Sequence, residues 1–257
     1  VVTTTLEGGL RGGNAATRWN IGLFRADNRD DILFVADNAA GFGYFRNVGK
    51  TRRQGLEAGF ETRLAGSRLA LNYTWLDATF RTAEVLNGSA NSRNDQAVAG
   101  LPGVDGTLEV RPGDRLPLIP RHLLKLSGEW PVLAGVSLSA DLQAVGGSFA
   151  RGNENNAHQP DGSTYLGPGR SGGYAVMNLG LDWRPAAGVT LWLQVANLFD
   201  RQYATASQLG AAAFDAQGRF VARPFAANAN GDRPLVQSTF YAPGAPRSVS
   251  VGVRLHF

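Results

Sequence analysis

Hydrophobic and polar residues alternate with a period of two along most of this chain. Val189, Leu191, Leu193 and Val195 fall on one side of a segment, and Thr190, Trp192, Gln194 and Ala196 on the other. The chain end repeats the pattern, with Val249, Val251, Val253, Leu255 and Phe257 against Ser248, Ser250, Gly252, Arg254 and His256. Successive side chains of a strand point to opposite faces, so each such segment has one apolar and one polar side. The alternation predicts about nine strands, near 2–10, 17–27, 52–64, 68–79, 121–130, 136–148, 174–184, 189–198 and 247–257. Helical signal is thin: 205–214 is Ala-rich, but turn formers and arginines surround it.

The connections sharpen the reading. Short ones fall at 65–67, 131–135 and 185–188, and long ones at about 28–51, 80–120, 149–173 and 199–246. Long and short alternate, so every long connection lies at the same end of the sheet. A soluble sandwich has no reason to do this, whereas an outer-membrane barrel has tight periplasmic turns and long extracellular loops. With the short turns at the periplasmic end, Trp19, Trp130 and Trp183 fall on the apolar face at one membrane edge. Tyr73 and Trp75 fall on that face near the other edge. Two aromatic girdles are the expectation for a barrel in lipid. Trp192 is the exception and should face the lumen. The polar face carries Glu57, Glu61, Arg63, Lys125, Glu129, Asp141, Asp182 and Arg254, which a wet or plugged lumen tolerates and a sandwich core does not.

Composition then becomes intelligible. The 257 residues are 43% hydrophobic but only 18% charged, as expected of strands that turn one face to lipid. No run of about 18 uncharged apolar residues is present to form a membrane helix. Cysteine is absent, which removes disulfides, thiolate metal sites and a Cys nucleophile. Arginine supplies 23 of the 25 Lys and Arg residues, yet the arginines are dispersed, so a nucleic-acid partner is not expected. Val1 rather than methionine opens the chain. The aromatic Phe257 after an alternating strand fits the C-terminal signal read by the barrel-assembly machinery.

Four short motifs occur in an order that resembles TonB-dependent outer-membrane receptors. Asn47-Val48-Gly49 followed by Arg53-Gln54-Gly55-Leu56-Glu57-Ala58-Gly59 is similar to their N-x-G…G-x-E segment. Leu116-Pro117-Leu118-Ile119-Pro120-Arg121-His122 resembles the returning-loop motif before a downward strand. Asn197-Leu198-Phe199-Asp200-Arg201-Gln202-Tyr203 resembles the segment ending the penultimate strand, and Gly244-Ala245-Pro246-Arg247 the approach to the last one. The resemblance implies an all-β fold: an antiparallel transmembrane β-barrel segment, nine strands of a barrel of about 22, with short periplasmic turns and long extracellular loops. Residues 1–257 would then be the C-terminal portion of the barrel, with the plug domain and earlier strands absent. It also implies TonB-energised uptake of a ferric siderophore or similar chelate across the bacterial outer membrane. The expected partners are TonB through the missing plug, outer-membrane lipid and lipopolysaccharide, and the assembly machinery through the last strand.

Catalytic chemistry finds little footing. The histidines are His122, His158 and His256, and no G-x-S-x-G elbow is present. Asn153–Asn156 with Asp161-Gly162 lacks the EF-hand spacing and reads as polar turns. No catalytic, cofactor or metal-binding residue is expected. A small barrel enzyme (protease or lipase) would need an even strand count and a catalytic cluster at the rim; a passive porin or adhesin would lack the four motifs. The structural duties expected of the motifs are space on the polar face at Gly55 and Gly59, and local backbone bonding at Asn197. Tyr203 should pack beneath its loop. Ligand contacts are expected in 199–246, where Arg201, Arg219, Arg223 and Arg233 accompany Tyr203, Phe220 and Tyr241. Guanidinium and aromatic groups together suit an anionic, partly aromatic iron chelate.

Overall fold

A computed structural model of the chain describes residues 1–35 and 43–256. The elements begin with β1 (Val2–Gly13), β2 (Thr17–Val35), β3 (Tyr44–Leu64), β4 (Ser67–Phe80) and β5 (Glu84–Asn87). There follow α1 (Asp95–Val98), β6 (Thr107–Val110), β7 (His122–Leu133), β8 (Val136–Val145) and β9 (Ser148–Phe149). The remainder are β10 (Arg170–Ser171), β11 (Tyr174–Ala186), β12 (Val189–Ala196), β13 (Ala204–Ala211), β14 (Gln237–Pro243) and β15 (Ser248–Leu255). Nine of the strands form one antiparallel sheet, ordered β1-β2-β3-β4-β7-β8-β11-β12-β15. The alternation predicted all nine, and each pairs with the next of the nine in the chain.

The short turns use one device. Ala65-Gly66, Ala134-Gly135 and Ala187-Gly188 close the β3–β4, β7–β8 and β11–β12 hairpins. At the first, Ala65 has φ 51° and Gly66 φ 78°, the left-handed pair that matches the twist of a two-residue hairpin.

Register lines the apolar residues up across strands. One row runs Trp19, Phe60, Leu71, Leu126, Leu142, Met177. Another runs Trp130, Leu138, Leu181, Leu193, Val251. These rows are not a packed core: Val251 is 73% exposed and Trp19 43%. The buried hydrophobic clusters lie elsewhere, among the connections and the ends of β2, β3 and β4 that reach them. An apolar face this broad with no protein covering it is suited to lipid. On the other face, Arg68 makes a two-pronged contact with Glu61 at 3.0 Å, and Asn178 donates to Asp141 at 3.0 Å. Trp192 sits on this face, as expected, with its ring over Gly252 of β15. Gly55 and Gly59 also lie there, but neighbouring side chains occupy the space: the Phe24 ring crowds Gly55 and the Asn20 amide crowds Gly59.

The expected loop 28–51 is largely strand. β2 and β3 stay paired past Arg29↔Lys50, through Asp31↔Val48, to Val35↔Tyr44. Asp30, at φ 53°, interrupts the two-residue period, which is why the alternation hides the continuation. Beyond it the Asp31 carboxylate turns to the polar side, where it accepts from Thr51, Asn28 and, at 2.9 Å, Arg53. The other long connections also hold structure: β5–β6, β9–β10 and β13–β14 are two-stranded ribbons. The Ala-rich segment becomes β13.

The faces can be tested by charge. Leu193→Arg should cost about 2–4 kcal/mol of stability in lipid, and Gln194→Arg on the opposite face close to nothing. Urea unfolding of the membrane-inserted protein reads the difference.

Candidate functional site

The connections 81–121, 146–173 and 197–247 are bound to one another above the sheet. The Asn91 side chain donates to Gly152 O at 2.8 Å and to Asn155 Oδ1 at 3.1 Å. Asn156 clasps Arg115, accepting its N–H at 2.6 Å and donating to its carbonyl at 3.0 Å. Between the second and third connections, backbone bonds join Arg151 to Ser207 and Leu209, and Gln237 to Thr164 and Leu166. Leu235 N–H reaches Gly103 O at 3.1 Å, linking third to first. Each connection contributes one residue to a small buried cluster of Ala90, Ala150 and Leu209. A second cluster packs Phe80, Leu86, Val110 and Leu116 against Val35 and Val48 of the extended β2–β3 hairpin. The connections are therefore an ordered cap.

Titratable groups inside the cap respond to burial. Glu154 is buried, which raises its carboxyl above the ordinary range despite the Gly152 N–H it accepts at 2.9 Å. Burial also lowers the His158 imidazole. Its Nδ1 faces the Ser92 N–H at 3.1 Å and must accept, which assigns the proton to Nε2, 3.3 Å from Gly167 O. Burial would raise Asp161, but N–H groups of Ser163, Thr164 and Tyr165, each at 2.8 Å, hold it below the usual range. Among the described residues, no three His, Asp or Glu side chains converge as a metal site would require.

The expected ligand contacts fall in three places. At the base, Arg201 is exposed while Asn197 holds its backbone, donating to Arg201 O at 2.9 Å and accepting its N–H at 2.8 Å. Tyr203 packs on Tyr174, ring centres 4.4 Å apart. At the outer end, Arg219 pairs with Asp215 at 2.8 Å, beside the exposed Phe220 and its edge-on neighbour Phe214. Arg223 lies 5.6 Å from the Phe225 ring, and Arg233 donates to Phe225 O at 2.6 Å. Tyr241 stands opposite Ser207 on the β13–β14 ribbon, its hydroxyl 3.5 Å from Arg170 O. The seven do not converge on one pocket. Phe257 lies outside the described residues.

Sequence reasoning passed over two clefts in the cap. One of about 520 Å³ is lined by Arg93 and Arg111 with Asp95, Glu109 and Asp114. Another of about 340 Å³ has Arg115, Phe149 and Arg170. Dispersed arginines carried no local signal; the ribbons that gather them come from distant pairing.

A sheet with its apolar face bare, its polar face charged and its long connections folded into a cap has the architecture of part of a lipid-facing β-barrel wall. The chain belongs to the family described as "TonB dependent receptor-like, beta-barrel", which matches residues 2–198. That is a family of receptors rather than enzymes or passive pores, so the protease, lipase, porin and adhesin alternatives fall away. Among solved structures it is similar to the ferric-catecholate import receptor Fiu of E. coli K12, with TM-score 0.60, 19% identity, and 99% of this chain covered against 27% of that one. The ferric yersiniabactin uptake receptor FyuA of Yersinia pestis gives TM-score 0.62 and 17% identity over 99% and 30%. The copper transporter OprC gives 0.57 and 17% over 99% and 30%. The likeness is one of fold, and the chain spans roughly 30% of the length of these structures.

Acid should loosen the cap at His158. A lowered imidazole pKa contributes stability that is present above its ordinary 6.5 and is lost as pH falls through the lowered folded value. Glu154 has the opposite sign, since a raised carboxyl stabilises at low pH and loses that contribution as pH rises. Protection of the Ser92 amide, its exchange rate taken relative to the intrinsic rate at each pH, should therefore fall between pH 7.5 and 5, and His158→Gln should flatten that dependence.

Proposed function

We propose that residues 1–257 are the C-terminal portion of the barrel of a larger receptor in the bacterial outer membrane. That receptor takes up a ferric siderophore or a similar metal chelate. The cap binds the chelate, and a plug outside this chain gates passage with energy delivered by TonB. Chemistry is confined to binding and gating, with no bond made or broken in the cargo. The observation that carries the reading is the cap: three connections locked together above a charged, inward-facing sheet surface, presenting arginine and aromatic groups. The similar structures support a metal cargo, since their names give a ferric catecholate, ferric yersiniabactin and copper. In this reading Arg219 with Phe220, and Arg223 with Arg233, take the first contacts at the outer end of the cap. Arg201, Tyr203 and Tyr241 lie deeper on the path. The last strand engages the assembly machinery through Phe257, and lipopolysaccharide surrounds the wall.

Cells making the whole receptor should accumulate labelled ferric catecholate or ferric citrate, and cells lacking it should not. Collapse of the proton-motive force should stop accumulation and leave surface binding intact. Arg223→Ala with Arg233→Ala should weaken binding at least tenfold, on the order of 1.5–3 kcal/mol for lost charge-assisted hydrogen bonds. Uptake that survives without energy, or binding indifferent to both arginines, would exclude the respective assignment.

A further inference from the structure

We propose that His158 is a proton-operated latch on the cap, and that its opening is the step by which a bound chelate leaves Arg233. The proposal rests on the receptor reading above and adds a regulation to it. The three connections meet at Gly103, whose φ of 77° suits glycine alone. A Cβ there would lie 2.7 Å from Leu235 O, 2.8 Å from Thr164 Cγ2 and 3.0 Å from Pro234 Cβ. The missing side chain thus lets the second and third connections close on the first. Around this point Leu235 N–H donates to Gly103 O at 3.1 Å, and Gln237 N–H to Thr164 O at 2.7 Å. Gly103 N–H donates to the buried Tyr165 hydroxyl at 3.0 Å. Arg233 precedes Leu235 and Gln237 closely in the chain, so these bonds hold its backbone in place.

His158 secures this junction from the side. Its ring meets the Tyr165 ring edge-on, centres 6.0 Å apart. Ser92 N–H donates to Nδ1 at 3.1 Å, and Nε2 lies 3.3 Å from Gly167 O. Only the neutral imidazole with its proton on Nε2 fits both partners. A second proton must go on Nδ1, where it faces the Ser92 N–H, donor against donor. Relief requires Ser92 to part from His158, which also breaks the 2.9 Å bond from Gln159 N–H to Ser92 Oγ. On the first connection the groups at the ring are Ser92 and, reaching Gln159, the Arg93 guanidinium. On its own connection they are Asn153, Asp161, Tyr165, Gly167 and Gly169. The third contributes the neutral Thr239, which accepts from Gly169 N–H. Asp161 is the one carboxylate favouring the imidazolium, and its oxygen is already committed to three N–H groups. Glu154 titrates with the opposite sign on the same turn, so its effect has to be removed separately.

The test uses the whole receptor, with hydrogen exchange for the latch and release of prebound, labelled ferric citrate for the cargo. From pH 7.5 to 5.5, protection of the Ser92, Gly103, Leu235 and Gln237 amides, each relative to its intrinsic rate, should fall together. The fall should be about tenfold, the limit for one proton taken up over one unit below the ordinary 6.5. Chelate release should quicken by the same factor, since it waits on the opening. His158→Gln keeps an acceptor for Ser92 and a donor for Gly167 but cannot titrate, so both responses should vanish. Glu154→Gln removes the opposing titration and should keep both. Gly103→Ala should release chelate at pH 7.5 as fast as the native receptor does in acid. The chelate's own response to pH is common to every variant, so the difference between native receptor and His158→Gln reads the latch. Gly103, Leu235 and Gln237 amides that stay protected in acid overturn the proposal, and so does acid-quickened release that persists in His158→Gln. Exchange needs no cargo: failure to bind any chelate overturns the receptor reading, while the exchange pattern still judges the latch.

Discussion

Hydrocarbon offers no partner to a backbone N–H or C=O, and the rest of this structure follows from that constraint. A chain that crosses lipid as strands must satisfy every peptide group sideways, against a neighbouring strand. The order of the sheet obeys this at minimal length: each wall strand pairs with the next wall strand in the chain, and three Ala-Gly turns close hairpins with almost no residues spent. Once pairing is fixed, the two-residue period decides everything else about the wall. Valine and leucine go outward and charge goes inward, and a one-residue slip would exchange them.

The same constraint moves the packed core out of the wall. A single sheet between lipid and lumen has no second layer to bury against, so its apolar residues remain bare in the isolated protein. Close packing appears only where the strands leave the apolar band. Phe80, at 0% exposure, is the centre of a small core built by the extended β2–β3 hairpin, the top of β4 and the β5–β6 ribbon. The rest of the cap is held by amides. Asn91, Asn94, Asn153, Asn156 and Asn197 are donors or acceptors to backbone groups of segments that have no regular structure of their own. An asparagine offers a donor and an acceptor in one short rigid group, which suits it to closing irregular backbone where water is excluded.

This division explains what could be read from the sequence. Wall strands repeat a period set by the two solvents on either side, so alternation was enough to find all nine and to place Trp192 inward. The motif residue Asn197 announced its backbone role because capping a fraying strand is a local act. The cap was invisible for the opposite reason. β13 pairs with β14 across more than twenty intervening residues, and β5–β6 needs Phe80 beneath it; no local period records either. The stretch 28–51 was misread through a single left-handed residue, Asp30, that reverses the faces halfway along a hairpin. The seven arginine and aromatic residues proposed to meet a ligand lie in the cap in three separate places, because composition can nominate a segment without saying how it folds.

Selectivity and architecture can therefore change at different rates. The wall accepts any apolar residue outward and many polar ones inward, so it keeps its shape through wide divergence; structures only 16–19% identical still superpose on nearly the whole chain. The cap is less forgiving at its buried amides, since removing one leaves a backbone group unpaired at about 1–3 kcal/mol. At its outer end, Arg219 and Phe220 make no such bond to a distant segment. Arg219 and Phe220 are exposed, bound only to near neighbours, and replaceable without disturbing Asn91 or His158. In the proposed reading a new cargo is met by changing side chains at the tip, while the amide-pinned layer beneath stays as it is.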